Sequence, residues 1–247
     1  MLVDVHCHLD HDYFKDKLDV VIRRAKKAGV KVIIAAGTNP ASNRTVLELA
    51  EKYDIVKASL GAYPLEILEG KFDLDKELAF IEQQKDKIIA LSEVGMDFKV
   101  VKDKNEEQMQ NFEKIIALAE RIQKPLIVHS RSAEKECIDL LEKVKVPVVM
   151  HSFGGNKKLM ALAAEKGFYF SIPPVITRLQ HFETLVGLVN INQLLTETDA
   201  PWLGPTREGM NEPAFVAEAV EKIAALKQFT VEETVKNIYL NYKKVFE

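Results

Sequence analysis

Eight short β-rich apolar runs, separated by stretches with helical periodicity, constrain this chain more than any other feature. They fall at 2–5, 31–36, 55–60, 87–92, 125–130, 146–152, 168–172 and 193–198. Between them lie amphipathic segments such as KLDVVIRRAKKAG, NEEQMQNFEKIIALAERIQ and NKKLMALAAEKG. These carry apolar residues at helical spacing, and several end near glycine. Strands alternating with helices imply right-handed βαβ units and a parallel sheet. Eight such units in 247 residues match one (β/α)8 barrel. An open doubly wound sheet is the competing arrangement, but no glycine-rich fingerprint follows the first strand. No linker or low-complexity tract divides the chain, so residues 1–247 read as a single TIM-barrel domain of the α/β class.

Composition narrows the function classes. A net charge of −3 gives no global basic footprint and argues against a tight, non-specific duplex-DNA binder. Two cysteines, Cys7 and Cys137, form neither a CxxC pair nor a disulfide framework, which points to a reducing cytoplasmic location. Charged residues interrupt any apolar leader near the N-terminus, and no apolar run approaches a membrane span. No obligate protein partner is evident.

Polar residues then gather at strand ends. His6 and His8 follow the first strand, and residues two apart on a strand share a face. Glu93 follows the fourth strand, His129 ends the fifth, His151 the sixth and Asp199 the eighth. In a barrel this is the face where distant strands converge on an active site. Any one histidine there is ordinarily structural, and His11 and His181 read as loop or surface residues. Four imidazoles and two carboxylates at one mouth are a set suited to Zn²⁺, Mn²⁺ or Mg²⁺. Six donors exceed the need of one tetrahedral ion, so two divalent ions bridged by a carboxylate are expected.

The blocks DVHCHLD, SEVGMDF, PLIVHSR, HSFGG and TETDAPWLGP…GMNEP together resemble the TatD family of metal-dependent hydrolases, which includes deoxyribonucleases. The closing NIYLNYKKVF is similar to that family's last helix. The resemblance implies an amidohydrolase-like TIM barrel, a binuclear metal centre and phosphodiester hydrolysis. By motif, His6, His8 and Asp199 would hold one ion with Glu93 bridging, while His129 and His151 would hold the second. The chain departs from the pattern at Tyr63, where the family often carries histidine, and in a compact loop over 98–108. The first departure bears on substrate handling rather than metal binding.

Residue chemistry agrees with that reading. Asp199 can accept a proton from water and serve with Glu93 in catalysis. Glu197 alternates with Asp199, so it either supports a ligand or forms an ion pair lower in the barrel. Arg131 is placed to bind a phosphate oxygen through its planar fork, or else to bridge a neighbouring loop. Trp202 offers a surface for a base, or packs in the core. Asn211 and Glu212 are expected to fix a loop and cap the helix near Pro213. The expected activity is an exonuclease that acts on single-stranded nucleic-acid ends, DNA in preference to RNA. The alternatives are an amidohydrolase acting on a small amide or ester and a non-catalytic binding barrel. Enzymes of the first alternative often bridge their metals with a carboxylated lysine, whereas the residue here is Glu93.

Overall fold

The computed structural model describes residues 1–101 and 103–247, so position 102 of the 98–108 loop lies outside it. All eight expected strands form: β1 (Leu2–Cys7), β2 (Val30–Ala36), β3 (Val56–Leu60), β4 (Ile88–Gly95), β5 (Leu126–His129), β6 (Val148–His151), β7 (Tyr169–Ile172) and β8 (Leu194–Thr196). They pair in parallel, in sequence order, within one eight-stranded sheet. Strands covered on both faces must be apolar almost throughout, and most of their residues are buried. Helices lie between successive strands, among them Leu18–Lys27, Asn105–Ile122 and Lys157–Glu165 at the amphipathic segments read from sequence.

The barrel is nearly closed. Where β8 meets β1, side chains and turns do what a ladder does elsewhere. Thr196 Oγ1 donates to the Val3 carbonyl at 2.7 Å, and the buried Asp4 carboxylate accepts the Thr198 N–H at 2.8 Å. Beyond the strands, Asp199 N–H donates to His6 O and His8 N–H to Ala200 O, both at 2.9 Å. The seam therefore fastens His6 of β1, and His8 just beyond it, to the loop that carries Asp199.

Two register slips matter for function. The β1–β2 ladder shifts between Asp4 and Cys7, around His6, and the β4–β5 ladder shifts between Leu91 and Val94, around Glu93. Such irregularities re-aim side chains and often sit beside active sites. At Glu93 the backbone crosses the end of β3, and its N–H reaches Gly37 O beyond β2 at 2.7 Å. Gly61 permits this crossing, since a Cβ there would lie 2.5 Å from Glu93 N. Among the described residues, no helix is long and apolar enough to cross a membrane.

Candidate metal centre and catalytic mouth

The six residues expected at the mouth do converge. Glu93 stands in the middle with its two oxygens facing different histidines. Oε2 lies 3.4 Å from His8 Nε2 and 3.9 Å from His6 Nε2. Oε1 lies 2.8 Å from His129 Nδ1 and 3.9 Å from His151 Nε2. Asp199 Oδ1 approaches His8 Nε2 at 3.4 Å and His6 Nε2 at 3.7 Å. Two groups of donor atoms lie within 4.8 Å of one another: His6, Glu93 and His151, and His6, His8 and Asp199. His129 stands outside both compact groups and joins the cluster through Glu93.

The supporting contacts decide which nitrogens face inward. His6 Nδ1 contacts Ser92 Oγ at 3.1 Å, and His151 Nδ1 contacts Glu197 Oε2 at 2.8 Å. Both contacts turn Nε2 of the ring towards the centre, the nitrogen that would bind a cation on losing its proton. His6 and His8 then bring their Nε2 atoms to 3.2 Å of each other. Two inward imidazole nitrogens at that spacing, flanked by carboxylate oxygens, form a donor set that fits a divalent cation. Glu197 thus supports a histidine, and its Oε2 also accepts from Ser171 Oγ.

Protonation behaviour follows from burial and crowding. Burial, with His151 and His8 nearby, holds His6 well below the ordinary imidazole range. Burial opposes a rise at His8, but Asp199 and Glu93 more than offset it. Burial likewise opposes the rise of His129 to about 8, which Asp97 and Glu93 produce, and of His151 to about 10, led by Glu197. Burial would raise Glu93, yet the hydrogen bond and charge of His129, with His8 and His6, keep it well below the usual carboxylate range.

Backbone geometry holds the cluster together. Gly95 has φ of +134°, and a Cβ there would meet the His129 carbonyl at 1.9 Å, so β4 and β5 can approach only through glycine. Asp199 adopts φ of +52°, a left-handed conformation that aspartate tolerates better than most residues. Asn211 Nδ2 donates to Thr198 O at 2.6 Å and Trp202 O at 2.7 Å, clamping the turn that carries Asp199. The expectation for Asn211 is met. Glu212 precedes the short helix at Pro213 without a side-chain cap; its carboxylate instead takes Arg24 Nε at 2.7 and 3.0 Å.

The remaining expected residues ring a cavity of about 510 Å³ above the cluster. Tyr63, Arg131 and Trp202 all line it. Trp202 is 47% exposed rather than packed in the core, with its ring 5.1 Å from that of His8. His11 caps a short turn as a loop residue does, yet it also lines this cavity, 5.2 Å from Trp202. His181 is structural, with Nε2 against Phe153 O at 2.9 Å. Sequence reasoning missed Asp97, whose Oδ2 lies 3.3 Å from both His129 Nε2 and the Tyr63 hydroxyl. The only signal for it was its place in SEVGMDF, two residues beyond the end of β4.

The comparisons with known proteins decide the family. The model of the TatD related DNase family matches residues 3–247. The chain belongs to this family. Human deoxyribonuclease TATDN3 is 36% identical, with 99% of this chain and 94% of that protein covered. A metal-dependent hydrolase of Methanocaldococcus jannaschii is 34% identical, over 99% of this chain and 96% of that one. The crystal structure of the Escherichia coli TatD homolog YJJV superposes with a TM-score of 0.92 at 26% identity, covering 99% of this chain and 97% of that one. This TatD-family chain is accordingly a hydrolytic enzyme built on a TIM barrel.

Proposed function

We propose that the chain is a divalent-metal-dependent phosphodiesterase, a deoxyribonuclease that removes nucleotides from single-stranded ends, with residues 1–247 acting as one catalytic domain. The observation that carries this reading is Glu93, whose two oxygens face two different sets of imidazoles. His6, His8 and Asp199 would hold one ion, His129 and His151 the other, and Glu93 both; Zn²⁺, Mn²⁺ and Mg²⁺ are the candidates. When bound, such a pair lowers the pKa of water and offsets charge on a phosphoryl group. Asp199, at the cavity wall, takes the proton of the attacking water on its carboxylate. The water oxygen ends on phosphorus, one P–O ester bond breaks, and the leaving oxygen receives the proton. Arg131 binds a non-bridging phosphate oxygen, and Trp202 stacks on the terminal base.

Access supports the preference for unpaired ends. The donors lie at the floor of a concave cavity, which an intact duplex is too wide to enter. DNA over RNA rests on the name of the human relative. The amidohydrolase alternative loses ground because no lysine lines the cavity among the described residues. Two buried free cysteines fit a cytoplasmic setting.

The experiment removes metal with a chelator, restores Mn²⁺, Mg²⁺ or Zn²⁺ singly, and compares linear single-stranded, blunt duplex and circular single-stranded DNA. Hydrolysis should need metal and be fastest on the linear strand. Rapid cleavage of the circle overturns end-dependence. Full activity in metal-free protein, or turnover of amides but not phosphodiesters, overturns the reading as a whole.

A further inference from the structure

Glu93 falls outside the regular pairing of β4 with both of its neighbours, so its backbone takes support from elsewhere. Two glycines supply it. Glu93 N–H donates to Gly37 O at 2.7 Å, and its backbone nitrogen would stand 2.5 Å from a Cβ at Gly61. Both glycines in turn lie against one buried side chain, Asn43, on the helix Pro40–Lys52. A Cβ at Gly37 would come within 2.1 Å of Asn43 Oδ1. Gly61 is held at both of its polar groups. Its N–H donates to Asn43 Oδ1 at 3.0 Å, and its carbonyl accepts from Asn43 Nδ2 at 2.8 Å. The second hydrogen of Nδ2 goes to Glu77 Oε1 at 2.7 Å, which fixes the amide plane from behind. Glu77 is itself buried, and its charge is paired with Arg44, whose guanidinium lies 3.6 Å from the Phe80 ring centroid.

We infer, on the metal-dependent reading proposed above, that Asn43 is a positioning residue for Glu93: acting through Gly61 and Gly37, its amide sets where the bridging carboxylate stands and so how tightly the centre holds metal. The contacts close on themselves. Glu93 meets Gly37 and Gly61, and Asn43 meets the same two, while neither glycine has a side chain with which to hold its own place. A bridging carboxylate tolerates little displacement, because each oxygen must face a different set of imidazoles, and such constellations work only within about 0.5 Å. Without the amide, the N–H and C=O of Gly61 lose their partners, and the backbone beyond β3 shifts to find others. Glu93 shifts with it.

Wild type, Asn43→Ala and Leu49→Ala are titrated with Zn²⁺ by calorimetry, and their urea unfolding midpoints are measured alongside. Leu49 is buried further along the same helix and has no polar group to hold Gly61, so its variant reports what loosening of the helix does by itself. Loss of an outer partner lowers metal affinity about 10–100-fold, and Asn43 acts at one further remove, so Asn43→Ala should bind Zn²⁺ about tenfold more weakly than wild type. Leu49→Ala should keep wild-type affinity despite a lower midpoint. Equal affinity in Asn43→Ala and wild type overturns the inference, as does equal weakening in the two variants. Absence of Zn²⁺ binding in wild type overturns the metal-dependent reading and the inference with it. Should Asn43→Ala fold poorly, wild type supplies the measurement, because coupling between two places is reciprocal. Zn²⁺ should slow exchange of the Gly61 amide hydrogen, which Asn43 holds, more than that of Ala58 within β3. Equal slowing at both positions, or none at Gly61, overturns the inference.

Discussion

Glu197 shows how much of this centre depends on a residue that touches no substrate. Its Oε2 receives His151 Nδ1 at 2.8 Å, and the contact fixes which nitrogen of that ring faces Glu93. Loss of such an outer partner costs about 10–100-fold in metal affinity in comparable sites. Glu197→Ala should therefore weaken metal binding by about that factor in calorimetric titration, while Glu197→Gln, which keeps an acceptor oxygen, should recover most of it. Equal affinity in Glu197→Ala and wild type would make the glutamate a fold residue only. Tyr63 makes the opposite case. Burial, then Glu93 and Asp97, push its hydroxyl far above the usual phenol range, so it donates and never accepts as a phenolate. Tyr63→Phe should leave metal content intact and reduce kcat/KM by roughly 10- to 100-fold, the worth of one hydrogen bond to a charged group. Loss of metal in that variant would show that the Tyr63–Asp97–His129 chain supports the ligand and not the substrate.

At the level of elements, the strand ends are where the sequence speaks most plainly. His6, His8, Glu93, His129, His151 and Asp199 were legible because each follows an apolar run, and one face of a parallel barrel gathers all such positions. Ser92, Asp97 and Ser171 were not legible as partners. Their roles depend on which strands lie beside them and on register slips at β1 and β4, and periodicity along one strand carries no information about its neighbour. Glu212 misled for a related reason: its position before Pro213 suggests a cap, while Arg24, far away in sequence, takes its carboxylate. Gly95 is the element-level test. Alanine there must adopt φ near +134°, a region essentially reserved for glycine, at roughly 1–3 kcal/mol, and also clear the His129 carbonyl, which its Cβ would meet at 1.9 Å. Gly95→Ala should lose at least about 2 kcal/mol in denaturant unfolding and lose activity together with it, because the strands it separates carry Glu93 and His129. A stable, active Gly95→Ala would mean that β4 and β5 tolerate a wider spacing.

For the whole molecule, the question is how a chain of net charge −3 would hold the polyanion proposed as its substrate. Two answers differ in their salt dependence. An extended basic track would contact many phosphates and release many counterions, whereas a cleft would contact few and take its affinity from stacking and the metal centre. Among the described residues, Arg131 is the one arginine or lysine lining the cavity over the donor cluster. One such contact on a single strand predicts a slope of about −0.7 in log affinity against log salt. Raising salt from about 50 to 200 mM should then weaken binding only about threefold, by the same relation. The measurement is KM for a single-stranded decanucleotide across that range at fixed metal concentration, repeated with Arg131→Ala. The variant should raise KM and flatten the slope towards zero. A wild-type slope steeper than about −2 would require about three phosphate contacts and would move the binding surface out of the cleft onto the surrounding rim, where Trp202 would be a boundary of the site and not its platform.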